Sequence, residues 1–69
     1  MNQEIAKRIK EIRADKNLTQ TQFGNILAVS QDTVSLWEKG KSYPSIEYII
    51  LICKTFNISA DYLLGLKDF

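Results

Sequence analysis

A chain of 69 residues, 45% hydrophobic and 25% charged, has the make-up of one small globular domain. Such a chain buries only about 60% of the surface it exposes when unfolded, so each large apolar side chain matters. One cysteine and no histidine exclude an internal disulfide, a Cys/His zinc site and the common hydrolytic nucleophile–base pairs, and a net charge of +1 excludes a generic polycation.

Asn2 is placed to cap a first helix over about residues 3–16. Ile5, Ile9 and Ile12 form its buried stripe with Ala6 beside them, while Lys7, Lys10 and Glu11 fall on the wet side. Asn17 tolerates the left-handed conformation that ends the helix, and Leu18 packs inward before Thr19. Thr19 and Gln22 have capping-box spacing and open a second helix over about 20–27, which is expected to bury Phe23, Ile26 and Leu27. Gly24, in mid-helix, costs about 1 kcal/mol relative to alanine, which a close crossing of the chain would explain. Only Ala28 and Val29 remain to turn the chain before Ser30 caps a third helix, about 31–39, whose Val34 and Trp37 share a buried face. Gly40 stops that helix, and Pro44 holds Tyr43 extended in the loop that follows.

Ser45 caps a fourth helix running to about residue 56, with Glu47 in its first turn where the dipole favours a carboxylate. The isoleucine-rich run within it suits a strand by composition. The helical spacing of Ile46, Ile49, Ile50, Cys53 and Phe56, with the cap, decides for a helix. Cys53 reads as a small buried hydrophobe. Asn57 and Ile58 connect to Ser59, which caps a final turn over 60–64 closed by Gly65. The expected fold is therefore all-α, five short helices in one domain spanning 1–69. No run of about 18 apolar residues offers a membrane span, and the polar Met-Asn-Gln-Glu-Ile start lacks the apolar core of a signal peptide. A cytoplasmic location is the default expectation.

Residues 19–40 organise this chain. Two capped helix starts lie eleven residues apart, at Thr19 and Ser30, and two short helices joined by so tight a turn make a helix-turn-helix unit. Such a unit leaves the front of its second helix free to enter a DNA groove. Charge leans the same way: seven bases against five acids up to Lys41, then two against three. The bias is small, so specificity would rest on placed contacts rather than on bulk attraction. Lys7, Lys10 and Lys16 read as ordinary helix-surface charges.

The ordered set Thr19-Gln20, Phe23-Gly24, Val29-Ser30, Val34-Ser35, Trp37-Glu38, Gly40-Lys41 and Pro44-Ser45 resembles the phage-repressor and Cro family of helix-turn-helix domains, the xenobiotic-response-element group. The ending Ile58-Ser59-Ala60-Asp61-Tyr62-Leu63-Leu64-Gly65 is similar to that family's fifth helix, so the resemblance covers about residues 5–65. It implies a compact, lambda-repressor-like five-helix bundle. It also implies a transcriptional regulator, a repressor before an activator, that binds a double-stranded DNA operator.

By the same resemblance, Gln31, Asp32, Ser35 and Leu36 project into the major groove. Gln20, Ser30, Lys39, Lys41, Ser42 and the backbone N–H of Tyr43 lie along the phosphates. Arg13 forms a partly buried salt bridge with Glu38 and also approaches a phosphate. Elementary chemistry agrees at several positions. A helix amino terminus such as that at Gln20 presents free N–H donors to an anion. The carboxamide of Gln31 matches adenine N6 and N7 together. Leu36, off the Val34–Trp37 face, either meets a thymine methyl or packs partly against a neighbouring helix. Asp32 either accepts from a cytosine N4 amine or simply complements the helix dipole.

Two positions depart from the family pattern. Ala28 stands where glycine is usual, and Leu51 where a polar, exposed residue is usual. Tyr48, Leu51 and Thr55, with Ile58, Tyr62, Leu66 and Phe69, would make an apolar patch near the carboxyl end. A symmetric homodimer on half-sites about 34 Å apart is its natural use. An interaction module that keeps the fold but has given up DNA is the alternative, suggested by an exposed Leu36 and the near-neutral charge. No cofactor, metal or small-molecule site is expected. Without histidine, a metal cluster or a glycine-rich phosphate loop, neither is catalysis.

Overall fold

The computed structural model describes residues 2–68. Within them the chain forms α1 (Asn2–Asp15), α2 (Gln20–Leu27), α3 (Gln31–Glu38), α4 (Ile46–Phe56) and α5 (Ala60–Leu63). None of these helices is long and apolar enough to cross a membrane. Four of the starts carry the caps the sequence advertises. Thr19 and Gln22 close a full capping box, and Ser30, Ser45 and Ser59 each accept from the backbone N–H three residues on. Each such cap removes one of the unsatisfied donors at a helix start. Asn2 is instead the first residue within α1, so the helix begins at the position expected to cap it, one residue earlier than expected. The helix ends also follow local chemistry. Asn17 and Asn57 adopt left-handed φ values of 58° and 55°, a conformation asparagine enters more readily than other side chains. Lys39 and Leu64 serve as C-caps rather than as helical residues.

The core joins all five helices. Ile5, Ile9 and Ile12 of α1 meet Phe23 and Leu27 of α2, Val34 and Trp37 of α3, Ile49, Ile52 and Phe56 of α4, and Leu63 of α5. Phe23 and Phe56 stack with centroids 5.2 Å apart, and Tyr48 leans on Trp37 at 5.6 Å. Cys53 is half-buried, and that burial pushes its thiol up from the usual range.

Two expectations about burial fail. Ile26 is 49% exposed. The inward line of this two-turn helix runs through Phe23 and Leu27, an i, i+4 pair, and Gly24 takes the other inward place. In α4 the buried line is Ile49, Ile52 and Phe56, while Ile46 and Ile50 are 65% and 49% exposed. An uninterrupted apolar run supports more than one helical face. Tertiary packing chose the face that reaches Phe23.

The most extensive helix–helix contact lies between α2 and α3, and it depends on a bare backbone. A Cβ on Gly24 would stand 2.6 Å from the Val29 carbonyl oxygen, so the mid-helix glycine is required by the turn folding back over α2. Ala28, in that turn, sits at φ 61° and ψ 40°. This is the left-handed conformation that an alanine side chain opposes.

The carboxyl end is clamped to α1. Arg8 lies 2.9 Å from Glu4, 3.7 Å from Glu11 and 3.6 Å from Asp68, with its guanidinium 4.4 Å from the centre of the Tyr62 ring. The Tyr62 hydroxyl donates to Glu11 at 2.9 Å. The Arg8 Nε is close to Glu4 but poorly aligned with it, so that contact is an ion pair rather than a directed hydrogen bond.

Candidate nucleic-acid interface

The amino termini of α2 and α3 are tied to each other by side chains. Gln31, first residue of α3, donates through Nε2 to Oε1 of Gln20, first residue of α2. Gln20 in turn donates through its own Nε2 to Glu38 Oε1 at 3.1 Å. Glu38 also accepts from Arg13 Nε at 2.7 Å and Nη2 at 3.1 Å. Arg13 Nη1 donates to the Leu18 carbonyl at 2.8 Å. Four side chains from three helices thus form one hydrogen-bonded line from the interior to the exposed front of α3.

The salt bridge implied by the family resemblance is present, and it is well shielded: the Arg13 and Glu38 side chains are 17% and 5% exposed. The Glu38 hydrogen bond holds the Arg13 guanidinium above its ordinary value, so the arginine stays charged. Its contacts to Glu38 and Leu18 engage three of its five N–H groups, which makes it chiefly an internal brace.

On α3, Gln31 and Asp32 are exposed, Ser35 is half-buried, and Leu36 is 43% exposed. Asp32 and Leu36 are one turn apart and point away from Val34 and Trp37, which are buried. Ser30 accepts from the Thr33 N–H at 3.1 Å and pairs with the Thr33 hydroxyl at 3.0 Å, so its side chain is already engaged in capping. Thr33 completes this cap without matching any family motif position named above, and its three-residue spacing from Ser30 is the sequence signal for it. Lys39, Lys41 and Tyr43 are exposed along the loop after α3, with Ser42 half-buried between them.

Residues of the carboxyl-end patch divide by environment. Leu51, Thr55 and Leu66 are exposed and Ile58 is half-buried. Tyr48 and Tyr62 are half-buried and already engaged with Trp37 and Arg8. Phe69 lies outside the described residues. A groove of about 500 Å³ runs beside Ile58 and Tyr62, between Asp15 and Lys16 of the α1 end and Asp61 of α5.

The helix-turn-helix family pattern matches residues 9–63. The chain belongs to the helix-turn-helix family. Its sequence is 41% identical over 62 residues to the HTH-type transcriptional activator BcrR of Enterococcus faecalis, across 90% of this chain and 30% of that protein. It is 39% identical over 61 residues to antitoxin PezA of Streptococcus pneumoniae serotype 4, across 88% of this chain and 39% of that one. The chain therefore spans well under half the length of these two relatives. Among solved structures, the P22 c2 repressor in complex with a synthetic operator superposes with a TM-score of 0.80 at 30% identity, over 88% of this chain and 92% of that one. The family is one of regulators rather than of enzymes, and the all-α, phage-repressor-like fold expected from the sequence is the fold observed.

Proposed function

We propose that this domain is a sequence-specific DNA-binding module of a transcriptional regulator, entering the major groove with the front of α3. The observation that carries the reading is the pre-oriented Gln31. It stands exposed at the first turn of α3, with its amide held by Gln20. A P22 repressor of the same fold is seen with operator DNA, which supports the same use here.

In this reading Gln31 reads adenine, Leu36 offers an apolar surface to a thymine methyl, and Ser35 and Asp32 take neighbouring base edges, Asp32 accepting from a cytosine amine. The α2 amino terminus at Gln20, with Ser30, Lys39, Lys41, Ser42 and the N–H of Tyr43, tracks the phosphates and sets the register. Arg13 supports this surface from behind. Relatives described as an activator and an antitoxin leave the direction of regulation to whatever accompanies the domain, and repression by occupying the operator is the simplest mode. The protein works as a homodimer, with the Leu51, Thr55, Ile58 and Leu66 surface turned toward a second copy and half-sites one helical turn apart.

Selection of bound duplexes from a random pool, at low salt, tests the reading. The expected outcome is an enriched paired half-site whose preference shifts with Gln31→Ala. No enrichment would favour a protein-binding role centred on the exposed Leu36. Sedimentation showing only monomer, with and without the selected operator, would remove the dimer.

A further inference from the structure

We infer that Arg13 and Glu38 are positioning residues that set which base the exposed helix accepts, by fixing the polarity of the Gln31 amide. This inference rests on the proposal that Gln31 faces a base. It adds a role to two residues that never reach one.

The argument is one of donors and acceptors. A guanidinium only donates and a carboxylate only accepts. With Arg13 donating twice to Glu38, the carboxylate oxygen facing Gln20 can take a hydrogen bond but cannot give one. Gln20 must therefore present its NH2 group to Glu38, which turns its carbonyl oxygen toward Gln31. Gln31 must then present its NH2 group to Gln20. One Gln31 N–H is committed by this bond, leaving one N–H and the carbonyl oxygen. A donor beside an acceptor is the pattern that adenine N7 and N6 require. The reversed amide would commit its carbonyl instead and offer two N–H donors, which suits guanine N7 and O6. An amide free to turn accepts either purine, whereas one whose orientation descends from an Arg–Glu pair does not. The line runs through 5%-exposed Glu38, where water does not readily substitute for the missing partner.

The test uses the full chain and the selected operator, with adenine or guanine at the base facing Gln31. The double variant Arg13→Met/Glu38→Met removes the source of polarity while leaving Gln20 and Gln31 in place. Replacing both members of a shielded pair by apolar side chains of similar length keeps such domains folded. A second variant, Gln20→Met, cuts the line without touching the salt bridge. The wild type is expected to prefer adenine over guanine at least about fivefold, the lower range for one bidentate contact. Both variants should bring that ratio close to one. Overall affinity cancels in the ratio, so a merely structural role, or the loss of a phosphate contact, does not move it.

A DNA-free measurement separates the inference from the reading beneath it. In the unbound protein, the side-chain amide resonances of Gln31 should shift in the double variant although residues 13 and 38 do not touch it. Unshifted resonances, or an adenine preference unchanged in the folded double variant, overturn the inference. Shifted resonances combined with no purine preference in the wild type overturn the base-reading proposal instead.

Discussion

Removing the Glu38 carboxylate tests the interior of this domain most directly. Glu38→Ala deletes the acceptor for two Arg13 contacts, at 2.7 and 3.1 Å, and for the Gln20 contact at 3.1 Å. The stranded guanidinium keeps its hydrogen bond to the Leu18 carbonyl and is too shielded, at 17% exposure, to recover full hydration. Breaking one side of a buried pair costs about 3–5 kcal/mol, and the residual exposure of Arg13 places this case near about 3 kcal/mol. A domain of this size is stable by only about 3–10 kcal/mol, so the variant loses about 30% of its stability or more. For 60–100 residues each kcal/mol moves the midpoint by about 4–8 °C, which predicts a fall of about 12–24 °C in a circular-dichroism melt. Urea titration should show a lower midpoint with an unchanged slope. The Arg13→Met/Glu38→Met pair should recover most of the loss, because no charge is left uncompensated. A Glu38→Ala melt that overlays the parent would refute the reasoning.

The turn and the loop give three further predictions. Ala28→Gly relieves a left-handed alanine at φ 61° and should stabilise by about 0.5–1 kcal/mol, net of the added freedom of the unfolded chain; a lower melting temperature would contradict the strain. Gly24→Ala gains about 1 kcal/mol of helix propensity, yet should destabilise, since its Cβ meets the Val29 carbonyl at 2.6 Å; a more stable variant would show that the turn relaxes freely. Lys39 and Lys41 are the exposed cations of the loop after α3, so a dimer neutralising about four phosphates should show a logarithmic salt slope of about −4. Lys41→Ala should make that slope shallower by about one unit per protomer, and an unchanged slope in a binding titration would exclude this lysine from the contact.

How much of the protein is legible in its sequence follows from the range of the interactions involved. Caps, stops and the tight turn depend on residues within four positions of each other. Thr19 with Gln22, Ser30, Ser45 and Ser59 therefore announce their helices, whereas Ala28 stands out only by likeness to a family in which glycine is usual at that place. The stripe Ile5, Ile9 and Ile12 is equally plain, because charged neighbours leave α1 only one apolar face. The bridge between Arg13 and Glu38, 25 residues apart, was reachable only through likeness to a family. Tertiary structure alone decided which isoleucines of 46–52 face inward, since an apolar run offers several faces and the opposing helix selects among them, and it decided that Ile26 yields the inward line of α2 to Phe23 and Leu27. It also decided that Gln20 and Gln31 meet. Sequence places each at the start of a helix, but only the fold of the turn over Gly24 brings those starts within hydrogen-bonding reach, with the charge pair behind them.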